Sequence, residues 1–91
     1  MTFDETRLLG KCLDSLDWLF DGHASAADVW DVLSDARQAL RETAHREQLD
    51  QALAGLLPII RSRAPAKVQR DEALIVTGDL RGYLAELLPI E

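Results

Sequence analysis

The stretch LGKCLDSLDWLFDG, residues 9–22, decides the fold, because its apolar residues recur at intervals of three and four, the period of a helix with one buried face. These apolar positions are Leu9, Cys12, Leu13, Leu16, Leu19 and Phe20. Upstream, Thr2 followed by Glu5 has the pattern of a capping box, and downstream Asp21 and Gly22 form a stop signal. The sequence therefore predicts a first helix over about residues 3–21.

Two further helical patterns follow in the middle of the chain. Ser25 with Asp28 predicts the cap of a second helix, whose apolar face runs from Val29 to Leu40. A third pattern runs from Leu49 toward Ile60, and Pro58 is expected to kink or end it. A possible break lies at residues 43–46, so the second and third helices are either separate or one bent rod.

A last helix is predicted to open at Pro65 and to end at Pro89, with a break near Thr77 and Gly78 as the alternative. Apolar residues never alternate with period two, so no strand is predicted. The predicted fold class is all-α, with residues 1–91 forming a single domain. Short connections favour a small antiparallel three- or four-helix bundle.

The most distinctive pattern is a repeated spacing of acids at i, i+3 and i+7, each set close to a tryptophan. The acids are Asp14, Asp17 and Asp21 in the first helix and Asp28, Asp31 and Asp35 in the second. At about 100° per residue, Trp18 falls opposite the apolar face of the first helix, among the acids. Trp30 falls at the edge of the apolar face of the second helix, where half burial is expected.

An exposed tryptophan bordered by carboxylates is typical of a protein interface. The residues predicted to bind a partner are therefore Asp14, Asp17, Trp18, Asp21, Trp30, Asp31 and Asp35. The first set of acids carries most of this prediction. The alternatives are that the acids are only the solvated backs of two helices, that a terminal segment covers Trp18, or that the Arg-rich middle of the chain neutralises the acids.

Gly78 and Gly82 stand four residues apart on the side of the last helix away from Leu80. Glycine disfavours a helix interior by about 1 kcal/mol relative to alanine. Small residues at this spacing would allow a second backbone to approach, within the bundle or across a homodimer. A simple helix break is the alternative.

Composition excludes several classes of protein. Hydrophobic residues make up 47% and charged residues 29%, which is the balance of a folded domain that needs no cofactor. The net charge of −6 argues against nucleic acid as a partner. No signal peptide and no membrane span is predicted, so a cytoplasmic protein with no membrane partner is expected.

The residues of common active sites do not form a recognisable pattern. Cys12 is alone, which excludes an intrachain disulfide, and its position predicts a small core residue. His23 lies in a predicted turn, and His45 has no metal-ligating partner in register. A phosphorelay-like role for His45 is an alternative, although AHREQL, residues 44–49, lacks the lysine and small residue that follow the histidine of such domains. No catalytic activity and no metal site is predicted.

In length, helical pattern and acidity, and loosely in the segment from Ser34 to Ile60 that begins SDARQ, the chain resembles small acidic helical immunity proteins. Bacteria make these proteins against their own interbacterial toxins, such as those of type VI secretion or polymorphic toxin systems. The resemblance implies tight one-to-one binding that occludes the active site of a cognate toxin. The alternatives are a homodimeric adaptor, similar to a secretion chaperone, and the phosphorelay-like regulator.

Overall fold

The structure is a computed structural model that describes residues 2–88. Over these residues the fold is all-helical, with helices α1 (Phe3–Asp21), α2 (Ala26–Ala39), α3 (His45–Arg61), α4 (Ala66–Val76) and α5 (Gly78–Leu87). The predicted fold class is therefore confirmed. The described part of the chain contains five helices rather than three or four, and the antiparallel arrangement stays a prediction.

Helix α1 begins and ends where its sequence signals predict. The Thr2 hydroxyl accepts a hydrogen bond from the backbone N–H of Glu5 at 3.1 Å. The Glu5 carboxylate does not complete the capping box, since it lies 3.9 Å from His45 Nε2 instead. At the other end, Gly22 adopts a left-handed φ of 81°, which a side chain would disfavour.

Helices α2 and α3 are separate helices and do not form one bent rod. A reciprocal capping box between Ser25 and Asp28 starts α2. In the turn that follows α2, the Thr43 hydroxyl donates to the Leu40 carbonyl at 2.7 Å and accepts from the His45 N–H at 3.2 Å. This hydroxyl therefore satisfies backbone groups on both sides of the break.

Pro58 was predicted to kink or end the third helix, and it does not end it, because α3 continues through it to Arg61. Pro58 is exposed and lacks only the single N–H that would bond to the preceding turn. Helix α2 makes its most extensive interface with α3, and an ion pair between Arg37 and Asp50 at 2.7 Å joins the two helices.

The predicted last helix is divided at Thr77, which confirms the alternative of a break. Its predicted end at Pro89 lies outside the described residues. Thr77 is buried, has φ −99° and ψ 0°, and its hydroxyl donates to the Ala73 carbonyl at 2.7 Å. Such back-bonding bends helices, and the glycine that follows lowers the cost of a break. The bend divides the segment into α4 and α5, both of which contact α1.

Every helix contributes to one cluster of buried apolar side chains. Its largest fully buried members are Leu9, Leu16, Leu19, Val29, Leu33, Leu49, Leu56 and Leu84. The sequence prediction was wrong at Phe20, which was assigned to this face and is 55% exposed. None of the helices over residues 2–88 combines the length and the apolarity needed to cross a bilayer.

Helix α3 approaches α4 closely at Gly55. A Cβ added to Gly55 would lie 3.0 Å from the Val76 Cβ, whereas one added to Gly10 in α1 would meet nothing within 4 Å. The two glycines thus differ in packing while sharing the same low helix propensity. Gly55 permits the close contact between α3 and α4, whereas Gly10 serves no such contact.

We expect Gly10→Ala to stabilise the protein by about 1 kcal/mol, the difference in helix propensity between the two residues. Gly55→Ala carries the same gain but adds overpacking, which typically costs about 1–3 kcal/mol. Its thermal midpoint should be at or below that of the wild type and several degrees below that of Gly10→Ala, since 1 kcal/mol corresponds to about 4–8 °C in a domain of this size. Thermal unfolding followed by circular dichroism measures the difference.

The matched control is Gly55→Ala combined with Val76→Ala, which removes the two Val76 Cγ atoms at 3.4 and 3.6 Å and leaves the Cβ contact at 3.0 Å. This double variant should recover part of the lost midpoint. An equal rise in the Gly10 and Gly55 single variants would contradict the proposed close packing.

Candidate partner-binding surface

Trp18 lies on the outer face of α1, as the helical pattern predicted. Leu16 and Leu19 are 1% and 0% exposed in the core, whereas Trp18 is 59% exposed. Asp14 and Asp21 precede and follow Trp18 by four and three residues, so both are its neighbours on the helix surface, and both are exposed. We call Asp14, Trp18 and Asp21 the Trp18 surface.

The structure places Asp17 differently from the other two acids of α1. Its carboxylate accepts hydrogen bonds from Nε and Nη2 of Arg81 in α5, at 3.2 and 2.8 Å. The Arg81 guanidinium also lies 5.3 Å from the centre of the Phe20 ring. Asp17 therefore belongs to a contact between α1 and α5, and its charge is partly balanced within the chain.

The second set of acids does not form a surface equivalent to the first. The Asp28 carboxylate caps α2 by accepting a hydrogen bond from the Ser25 backbone N–H at 3.0 Å, which lowers the pKa of the carboxyl group. Asp31 and Asp35 are exposed. Trp30 is half-buried against the core, as predicted, and its indole N–H is buried without a hydrogen-bond partner over the described residues. Only part of Trp30 is thus available to a partner.

Sequence reasoning missed an open apolar groove between α1 and the C-terminal helices. The groove has a volume of about 670 Å³, and the Asp17–Arg81 pair lies in its wall. We call it the α1–α5 groove, and its apolar and small lining residues include Leu13, Phe20, Leu74, Gly82, Ala85 and Leu88. The one feature of the sequence that indicated this groove was the pair of glycines in the last helix, Gly78 and Gly82.

His45 is held in a polar cluster that joins three helices. Its Nδ1 lies 2.6 Å from the Tyr83 hydroxyl of α5, and its Nε2 lies 3.9 Å from the carboxylate of Glu5 in α1. The His45 side chain is only 13% exposed. This geometry does not favour the phosphorelay-like role, which needs an accessible ring nitrogen.

Cys12 is fully buried in the core, as predicted. Burial raises the pKa of its thiol to about 12. Over residues 2–88, no three His, Cys, Asp or Glu side chains are grouped closely enough to hold a metal ion.

No family model, no curated protein and no solved structure matches this chain. The resemblance to immunity proteins therefore stays a prediction.

We expect the Cys12 thiol to react very slowly with a disulfide reagent in the native protein at about pH 8, close to the ordinary pKa of cysteine. The raised pKa keeps the group protonated, and burial keeps the reagent away. The reaction is followed by the absorbance of the thiolate that the reagent releases. Its rate should increase by orders of magnitude in urea, because unfolding exposes Cys12 and restores the ordinary pKa of its thiol. Rapid labelling of the native chain would show that Cys12 is an accessible thiol.

Proposed function

We propose that this chain is a non-enzymatic protein-binding domain whose partner docks on the Trp18 surface. The observation that carries the proposal is the 59% exposure of Trp18 between two exposed carboxylates. A tryptophan buries a large apolar area when a partner covers it, and it is among the residues that contribute most to binding free energy. The exposed part of the Trp18 ring contributes little to the stability of the fold.

The charges of the Trp18 surface support a partner with a basic face. Over residues 2–88, neither Asp14 nor Asp21 forms an ion pair with a side chain of the domain. The net charge of −6 adds a long-range attraction for a cation-rich surface. Such complementarity mainly accelerates association, whereas the buried ring determines how slowly the complex dissociates.

The same charges argue against the homodimeric alternative at this surface. In a two-fold symmetric dimer, each patch meets its own copy. Asp14 and Asp21 of one chain would then face the same carboxylates of the other, which is unfavourable without an intervening cation. A foreign partner avoids this repulsion.

For the class of partner, we propose the cognate toxin that the resemblance to immunity proteins implies. In this interpretation the domain catalyses nothing and inhibits by covering the active site of the toxin. Small rigid inhibitors of this kind bind with interfaces of about 800 Å² on each partner. The Trp18 surface would form the centre of such an interface.

The candidate for the proposed toxin is the product of the gene immediately upstream. We expect Trp18→Ala to weaken binding to this product by well over tenfold, a loss of more than about 1.4 kcal/mol. The thermal midpoint should change little, because exposed substitutions usually alter stability by less than about 0.5 kcal/mol. Titration calorimetry gives the affinity, and protection of cells that express the upstream gene gives the biological effect.

Phe3→Ala is the matched control, because Phe3 is an aromatic residue of the same helix, 82% exposed and near its other end. This variant should bind like the wild type. If Trp18→Ala unfolds the chain, or if it binds and protects as well as Phe3→Ala, the Trp18 surface is not the binding site. Absence of any complex or protection with the wild type would remove the upstream product as the partner.

The acids are tested separately from the ring. Asp14→Asn with Asp21→Asn should lower the association rate and flatten its dependence on salt, because the steering charges are gone. The control removes two exposed acids elsewhere, Asp71→Asn and Glu72→Gln in α4. Equal effects of the two pairs would show that only net charge matters.

A further inference from the structure

A second cavity lies where the turn between α1 and α2 meets the first turn of α4. Its volume is about 360 Å³, and over residues 2–88 its lining contains no acid. Three of the lining residues are basic, namely His23 from the turn and Lys67 and Arg70 from α4. We call it the basic cavity. In a chain with 16 acids against 10 lysines and arginines, it is a local site of the opposite charge.

Arg70 is the basic residue of this cavity that the fold leaves without a partner. It is half-buried, and its Nε atom is buried with no hydrogen-bond partner over residues 2–88. None of the ion pairs among these residues includes Arg70. A Cβ added to Gly22 would lie 3.5 Å from Arg70 Nη1, so the guanidinium lies against the end of α1. Partly buried charges are normally paired, so this cation lacks an anion.

The first turn of α4 adds backbone donors to the same cavity. Pro65 precedes the helix, and no side chain caps it. The first N–H of α4 to bond back along the chain belongs to Gln69, which donates to the Pro65 carbonyl at 3.0 Å. The N–H groups of Ala66, Lys67 and Val68 are therefore left for another acceptor. Ala66 and Lys67 both line the cavity.

These groups together fit an oxyanion. Free N–H groups at the start of a helix stabilise negative charge, and arginine binds phosphate through two parallel hydrogen bonds. The acid at the start of α2, Asp28, is not free to neutralise the cavity, because its carboxylate accepts from the Ser25 N–H. Pockets for small ligands range from about 300 to 1,000 Å³, so the cavity suits a small molecule.

We propose that the basic cavity binds the phosphate group of a small phosphate monoester. Arg70 and Lys67 contact the phosphate oxygens, and the N–H groups at the start of α4 donate to them. A phosphate monoester carries a charge of about −1.5 to −2 at pH 7 and three acceptor oxygens, more than a carboxylate offers to the same donors. This site goes beyond the proposed function and does not depend on the Trp18 surface.

The probes are inorganic phosphate and methyl phosphate, with acetate as the carboxylate for comparison. Each is titrated into the ¹⁵N-labelled chain at an ionic strength held constant with sodium chloride, and the backbone amide signals are followed by NMR. We expect saturable shifts of the Ala66, Lys67 and Val68 signals with both phosphates. Acetate should bind these groups more weakly, because it has less charge and fewer oxygens.

Two variants test the side chains. Arg70→Gln should weaken binding of methyl phosphate by about tenfold, the order expected when a hydrogen bond to a charged group is lost. Lys67→Gln should weaken it by about threefold, since water screens this exposed lysine. The matched control is Arg7→Gln, which removes one exposed positive charge from α1, outside the cavity. It should bind methyl phosphate nearly as the wild type does.

The results that would overturn the proposal are specific to this cavity. They are an absence of saturable shifts with both phosphates, acetate binding as tightly as methyl phosphate, and equal losses in Arg7→Gln and Arg70→Gln. Circular dichroism verifies folding, and if Arg70→Gln is unfolded, an unchanged affinity in Lys67→Gln contradicts the proposal instead. Trp18→Ala should bind methyl phosphate like the wild type, so failure of this site and failure of the Trp18 surface are distinguishable.

Discussion

The burial of one stripe of α1 is the constraint on which the rest of the structure depends. Leu9, Leu16 and Leu19 are almost completely buried. Full burial of each such side chain contributes about 1.5–3 kcal/mol. Any rotation of α1 that covered Trp18 would expose part of this stripe, so the helix cannot bury its tryptophan and its leucines against the same core. The exposure of Trp18 follows from the burial of these leucines.

The break at Thr77 separates α4 from α5, and α5 forms the second wall of the α1–α5 groove. Helix α5 begins after the break at Thr77 and forms its own contact with α1, where Arg81 lies 2.8 Å from Asp17. That pair is half exposed, so its stabilising effect is small. Its structural effect is larger, since it holds the polar wall of a groove whose remaining lining is largely apolar. Trp18 lies on the far side of α1 from this groove by helical position.

Local signals in the sequence were enough to predict much of this architecture. The caps at Thr2 and Ser25, the stop at Gly22, the outward position of Trp18 and the half burial of Trp30 each depend on residues within one or two helical turns. Phe20 was misplaced because periodicity identifies the middle of a buried face and does not show how far the neighbouring helices extend over its edge. The break at Thr77 could only be left as an alternative, because a threonine followed by glycine is compatible with a continuous or a bent helix.

The Asp17–Arg81 contact joins residues 64 positions apart and has no local signature. It changes the interpretation of the first acid set, since one of its three carboxylates serves the fold. Binding depends on the surfaces of both molecules, and this sequence determines only one of them. What the chain does show is which side chains remain exposed after folding, and Trp18, 59% exposed, is one of them.

The central claim is that folding leaves Trp18 outside the core. Acrylamide quenching of its fluorescence in a Trp30→Phe variant, where Trp18 is the sole tryptophan of the chain, tests this directly. The account predicts a red-shifted emission and efficient quenching in the folded state, both changing little on unfolding in urea. A blue-shifted emission, protected from acrylamide until the chain unfolds, would contradict it.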